Sequence, residues 1–345
     1  MSSRPLRVML ACKALMEDGM GHLTRCRSLL EQVPPHVEPY LVIQGPRTEL
    51  PEGDGTVTEQ HIEADEELRT AVAQWRPDII IFDQNRLAQN VFSPLRETTF
   101  TVCLSPLFQH ISRVHQIYHR TACLPPGISP EGEIHAGLEY TILSGNCLPV
   151  SDERYRTVLA QSPFAVAVSM GGVDAPNKTL AVLRALGAYR APLVVWAFLG
   201  AGYSHSYDAL VAESYQHGEQ EIILVKANRS FWRVLQNCHL AVLSGGVTSY
   251  DAVYAGMPAL NLLHTGEHSF IVRELAERGA CLSSEVYGGL SLERLPSLIG
   301  ELDRDRERLW QVHARAQGLI DGLGGERIWE RITEGHRRFR QDGGD

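Results

Sequence analysis

The stretch Ser244-Gly245-Gly246-Val247-Thr248-Ser249-Tyr250-Asp251 follows the apolar run His239-Leu240-Ala241-Val242-Leu243 and precedes the apolar face Ala252-Val253-Tyr254-Ala255. An apolar run that stops at small residues and restarts at helical spacing predicts a strand, a tight turn and a helix. The first backbone N–H groups of such a helix have no partner within it, and they point where the helix dipole is positive. A phosphate or diphosphate suits that point.

The same pattern occurs twice more. After the buried run Phe164-Ala165-Val166-Ala167-Val168 comes Ser169-Met170-Gly171-Gly172-Val173-Asp174-Ala175-Pro176-Asn177-Lys178-Thr179, where glycines let backbone approach a ligand closely. After the run Leu6 to Cys12, a short loop leads into Gly19-Met20-Gly21-His22-Leu23-Thr24-Arg25-Cys26, and Leu23, Cys26, Leu29, Leu30 and Val33 then recur at helical spacing. His22 therefore lies in the first turn of a helix, where the positive dipole end favours the neutral imidazole, the form able to act as a base. Capping or packing the helix is the plainer role for such a histidine. The turn is not a dinucleotide fingerprint, because Gly19-x-Gly21-x-x-Thr24 lacks the third glycine and the next strand, Pro39 to Gln44, ends without an acid for a ribose. Neither a nicotinamide nor a flavin is expected, nor any other cofactor.

Further apolar runs follow at Asp78–Asp83 and Thr99–Leu104, with a helical stretch Glu66–Trp75 between the second strand and Asp78, and Leu138–Leu143 reads as extended. In the second half, strands are expected at Leu193–Leu199, Glu221–Val225, Leu240–Leu243 and Gly256–Leu263. Helices are expected at Tyr207–Tyr215, Ser230–Asn237 and Ser269–Arg278, the last closed by Gly279. Such alternation predicts an α/β chain of two doubly wound, mostly parallel sheets. The polar stretch Val150 to Pro163 places a boundary near 150, giving domains 1–150 and 151–345. Charged helices close the second, and Asp303-Arg304-Asp305-Arg306-Glu307-Arg308 reads as a solvated face. Asp83 ends its strand on the edge where open α/β sheets bind ligands. It is placed to orient His22 or a substrate hydroxyl, or equally to cap a helix.

The 345 residues carry 41 acidic and 32 basic side chains, a formal charge of -9, which argues against a broad nucleic-acid surface but leaves room for a small anion in a local pocket. Seven cysteines stand singly without a C-x-x-C pair, so neither a disulfide framework nor a zinc ribbon is expected, and a reducing cytoplasm fits. His110, His115 and His119 lack a carboxylate that would complete a ligand set, and they read as ordinary surface or loop histidines; no metal site is expected. The apolar run ending at Cys12 is too short for a membrane span and is not followed by a cleavage region. Membrane insertion is not expected, and oligomeric state is not legible.

Two strand–glycine-turn–helix domains, with Gly-x-Gly-His-x-x-Arg-Cys in the first and Ser-Gly-Gly-x-Thr-x-x-acid followed by Ala-Gly-x-Pro in the second, resemble the GT-B glycosyltransferase architecture, in which two Rossmann-like domains face a central cleft. The likeness is nearest to the PseG/SpsG group, hydrolases of a UDP-linked sugar in pseudaminic acid synthesis, and more distantly to MurG. The resemblance implies that His22 is catalytic, with Arg25 and Cys26 completing its motif, and that Gly21 and Arg25 take part in binding the nucleotide sugar. It implies that Met170, Gly171, Gly172, Asp174 and Asn177 face a nucleotide sugar, that Ser244, Gly245, Gly246, Val247 and Thr248 cradle its diphosphate, and that Asp251 meets the ribose. Glu267 and His268 stand where the family has Asn-Gln. Ser105-Pro106 replaces paired aspartates, and Ser144-Gly145-Asn146 replaces an Arg and an aromatic. These departures fall mainly in the half that faces sugar or acceptor, whereas the nucleotide pattern is kept. The expected activity is an inverting, metal-independent transfer from a UDP-sugar with His22 as general base. The alternatives are hydrolysis with water as acceptor, and a nucleotide-sugar-binding protein without catalysis.

Overall fold

The computed structural model describes residues 4–15, 20–45, 57–104, 110, 113–122, 131–216, 218–226, 231–263, 269–282, 285–286, 288–341 and 343. The chain forms two compact units, Met1–Gly145 with Gly322–Asp345, and Asn146–Asp321.

The first unit runs β1 (Leu6–Lys13), α1 (Gly21–Leu30), β2 (Val37–Gln44), β3 (Thr58–Ile62), α2 (Asp65–Trp75), β4 (Ile79–Asp83), α3 (Gln89–Thr98), β5 (Phe100–Cys103), β6 (Gln116–His119) and β7 (Glu133–Ala136). Among the described residues these strands make one parallel sheet in the order β3-β2-β1-β4-β5-β6-β7. Strands covered on both faces must be apolar throughout, and Val8, Met9 and Leu10 of β1 and Ile79 to Phe82 of β4 are fully buried. The strand order reverses between β1 and β4. A crevice opens at the carboxyl ends of strands at such a switch point, and the register there sets Cys12 beside Asp83.

The second unit runs α4 (Asp152–Leu159), β8 (Phe164–Ser169), α5 (Lys178–Leu186), β9 (Leu193–Leu199), α6 (Tyr207–Ser214), β10 (Gln220–Lys226), α7 (Phe231–Leu235), β11 (Leu240–Leu243), α8 (Val247–Ala255), β12 (Ala259–Leu263), α9 (Ser269–Glu277), β13 (Glu285–Val286), α10 (Gly289–Arg304) and α11 (Glu307–Ala316). Its parallel sheet has the order β10-β9-β8-β11-β12-β13, so the reversal lies between β8 and β11. One face of this sheet packs Val166, Val168, Leu240, Val242 and Leu260 against Leu180, Leu183, Leu295 and Ile299 of α5 and α10. The other packs Ala165, Ala167, Ala241 and Leu243 against Trp232, Ala252 and Ala255.

A last helix, α12 (Gly324–Gln341), buries Ile328, Trp329, Ile332 and Gly335 in the first unit. Trp329 Nε1 donates to the Leu29 carbonyl at 2.9 Å, and a Cβ at Gly335 would stand 2.2 Å from Gln116 Nε2 of β6. Whereas a cut near 150 assigns everything from 151 to 345 to the second domain, the final segment packs with the first.

Three local expectations differ from the structure. Leu138–Leu143 is not extended: Leu138–Tyr140 forms a single 3-10 turn, and the edge strand β7 lies just before it in a polar stretch. Asp303–Arg308 is not simply a solvated face, because Asp303 accepts hydrogen bonds from Tyr189 at 2.7 Å and Arg306 at 2.7 Å. The three histidines are not surface residues: His110 and His119 are buried and His115 is half-buried. His110 Nε2 bonds the Leu87 carbonyl at 2.8 Å, His115 Nδ1 accepts from the Thr101 amide at 3.0 Å, and His119 Nδ1 bonds the Thr121 carbonyl at 2.9 Å. Among the described residues, no helix is long and apolar enough to cross a membrane.

Candidate functional site

In the first unit, α1 leaves the carboxyl edge of β1 and brings His22 and Arg25, three residues apart and so on one helix face, against Asp83 at the end of β4. Asp83 is fully buried, His22 is 8% exposed and Arg25 6%. His22 Nδ1 stands 2.7 Å from Asp83 Oδ1; Arg25 Nε donates to Asp83 Oδ2 at 2.7 Å and Arg25 Nη2 donates to Oδ1. Burial works against the Asp83 carboxylate, but the charge of Arg25, then that of His22, with the hydrogen bonds both donate, hold it well below the ordinary carboxylate range. An ionised carboxylate only accepts, so Nδ1 carries a proton, and whenever the ring is neutral Nε2 is the acceptor nitrogen. The cluster is thus an imidazole fixed in the tautomer that a general base requires.

Of the roles expected for Asp83, the contact that the structure shows is with His22, shared with Arg25. Arg25 differs from expectation: its guanidinium is turned inward onto Asp83. Gly21 is the first residue of α1, and Cys26 Sγ lies 4.0 Å from Asp83 Oδ2.

Gln84, one residue past Asp83, was not a candidate from sequence. It is 2% exposed, and its Nε2 has no hydrogen-bond partner among the described residues. A buried orphan donor costs stability unless something else uses it. Its place next to an acid on the ligand-binding edge of a strand was the signal available. Gln84→Met should therefore leave the melting temperature of the unliganded protein unchanged or raise it; a clear fall would mean that the carboxamide is a structural group.

In the second unit, two glycine turns meet at the switch point, after β8 and after β11. They differ in whether a side chain of the turn caps the amides that open the following helix. The turn after β8 is closed by its own carboxylate: Asp174 accepts from the Lys178 amide at 2.8 Å and the Thr179 amide at 2.9 Å, occupying the start of α5. Asn177 Oδ1 accepts from Tyr203 at 2.9 Å, and Met170 is 4% exposed within the core. Asp174, Asn177 and Met170, expected at a ligand, are thus engaged in the fold, while Gly171 and Gly172 remain partly exposed. Removing a carboxylate that satisfies two helix-end amides costs about 1–2 kcal/mol, so Asp174→Ala should lower unfolding free energy by that amount in a urea titration.

Among the described residues the turn after β11 carries no such plug. Gly246 is the N-cap of α8 without a side-chain hydrogen bond, and Ser244, Gly246, Val247 and Thr248 are partly exposed. Gly245, with φ of 80°, adopts a conformation that favours glycine, and a Cβ there would fall 2.3 Å from Leu263 Cδ2. A Cβ on Gly171 would stand 3.4 Å from Ser244 Oγ, so the two turns sit side by side. Ser249 donates to Asn261 Oδ1 at 2.7 Å and fixes the first turn of α8 to β12. Asp251 is 2% exposed, with its carbonyl accepting from Cys147 Sγ at 3.2 Å. Glu267 and His268 lie outside the described residues.

No protein-family model matches the sequence, and no curated protein matches it. Solved structures do resemble it along almost the whole chain. MurG of Acinetobacter baumannii aligns with a TM-score of 0.64 at 12% identity over 96% of this chain and 100% of its own. A UDP-glucosyltransferase of Polygonum tinctorium aligns with a TM-score of 0.65 at 11% identity over 97% and 100%. The UDP-GlcNAc 2-epimerase of Neisseria meningitidis, solved with UDP-GlcNAc, aligns with a TM-score of 0.57 at 10% identity over 95% and 100%. At these identities the likeness concerns the fold, and the fold is GT-B: two parallel-sheet, Rossmann-like α/β units.

Proposed function

We propose that this chain is a metal-independent, inverting glycosyltransferase that takes its sugar from UDP. His22 Nε2 removes the proton of the acceptor hydroxyl as that oxygen attacks the anomeric carbon. The bond from the anomeric carbon to the phosphate oxygen breaks, and UDP leaves with the electron pair. Asp83 holds the imidazole in the required tautomer and stabilises the imidazolium that forms. The amides of Gly245 to Thr248 and the positive end of α8 stabilise charge growing on the leaving diphosphate. Met170, Asp174 and Asn177 support the turn instead of touching the ligand, and Asp251 is offered as the ribose contact.

The observation that carries this reading is the 2.7 Å contact of His22 Nδ1 with Asp83 at the switch point of the first sheet. The structural neighbours named for UDP-sugar chemistry give the reading its nucleotide. Incubation with a panel of UDP-sugars, with and without candidate acceptors, tests it. Release of UDP that depends on an acceptor supports transfer. Release without one would make water the acceptor, as in a PseG-type hydrolase, and UDP binding without any turnover would leave a non-catalytic binding protein.

A further inference from the structure

We propose that Arg25 sets the pH range in which His22 serves as a base, by dividing the Asp83 carboxylate between its own guanidinium and the imidazole. This rests on reading His22 as the base and goes beyond it, since it gives a positioning role to a residue whose place in the motif pointed to substrate.

A buried carboxylate facing an imidazole alone stabilises the imidazolium, the form that cannot accept a proton. Here Asp83 gives Oδ2 to Arg25 Nε at 2.7 Å and shares Oδ1 between Arg25 Nη2 and His22, and Nη2 also stands 3.1 Å from His22 Nδ1. A proton added to His22 would therefore meet a fixed positive charge beside the negative one. Burial favours the neutral guanidine, yet Asp83 outweighs it and raises the Arg25 pKa, so the cation is permanent.

Among the described residues, the other groups beside Arg25 leave this balance in place. Cys12 of β1 and Cys26 of α1 adjoin Arg25, and burial pushes the Cys26 thiol well up, so that it brings no charge. His119 ends β6 within reach of the Arg25 charge. Burial brings it down to about 4 despite its bond to the Thr121 carbonyl, with Arg120 and Arg25 adding to the shift. Lys13, at the end of β1, is paired with Asp65 at 2.9 Å. Arg25 touches both members of the His22–Asp83 pair.

The test is the imidazole titration of His22, followed by NMR on the full chain with isotope-labelled histidine and assigned by loss of the signal in His22→Ala. Arg25→Gln should move the midpoint up by about 1–2 pH units, the usual effect of one adjacent charge. Arg25→Lys should stay near wild type, and the Arg25→Gln/Asp83→Asn pair should return toward it. Asp83→Asn alone removes the carboxylate but keeps the cation, and should move the midpoint down. An unchanged or lower midpoint in Arg25→Gln overturns the proposal. Should that variant fail to fold, an unchanged midpoint in Asp83→Asn does so. A merely structural Arg25 would leave the titration where it is. Because the titration is read on the free protein, failure to turn over any UDP-sugar would count against the proposed reaction and not against this role. Where turnover is found, the acid limb of kcat/KM should shift in step.

Discussion

Replacing His22 with alanine should lower turnover of the UDP-sugar by about 10²–10⁴-fold, the usual worth of a general base, and should leave UDP affinity nearly unchanged. The two effects separate because His22 and the Ser244 turn belong to different sheets: the imidazole stands at the end of β1 and β4, whereas the diphosphate is assigned to the amides that open α8. Steady-state UDP release gives the first quantity and calorimetric titration of UDP gives the second. Equal turnover by His22→Ala and wild type would remove His22 from the chemistry. Parallel loss of turnover and UDP affinity would mean that the histidine acts through the fold of the nucleotide site.

Asp83→Ala should cost about 3–5 kcal/mol of unfolding free energy, because it strands the buried Arg25 guanidinium without its carboxylate. Urea unfolding measures it, and a loss below 1 kcal/mol would show that the cluster adds little to the fold. The pH dependence has a definite sign. The folded carboxylate titrates below the unfolded value of about 3.9, so its stabilisation is fully present above that value and is lost as pH falls through the folded one. Wild-type stability should therefore drop below about pH 4, and Asp83→Asn should show a shallower fall over the same range.

Much of this was legible in the sequence, for identifiable reasons. β1, β4, β8 and β11 are covered on both faces along most of their length, so they read as mainly apolar runs, and each glycine turn follows such a run. β3, Thr-Glu-Gln-His-Ile, and β7, Glu-Ile-His-Ala, are edge strands with exposed polar positions and carry no such signal. Helix α3 was masked by Pro94 inside it. The His22–Asp83 pair could be anticipated from the doubly wound order, which sets β1 beside β4 although the residues are 61 apart. The inward turn of Arg25 followed from its i, i+3 spacing with His22, but the motif invited a ligand role instead. Asp174 marks the limit of pattern reading: a carboxylate beside two glycines looks the same whether it awaits a ligand or caps its own helix, and only the 2.8 and 2.9 Å contacts to the Lys178 and Thr179 amides tell the two apart.

On the proposed reading the anion site of the second unit is Ser244 to Thr248, the turn whose helix amides no side chain caps among the described residues. Titration of UDP into the protein by calorimetry, with uridine titrated in parallel, is the most direct measurement. The account predicts saturable binding of UDP at one site per chain, tighter than uridine by at least about tenfold, or 1.4 kcal/mol, since the diphosphate engages the turn. Uridine binding as well as UDP, or neither binding at millimolar concentration, would contradict it.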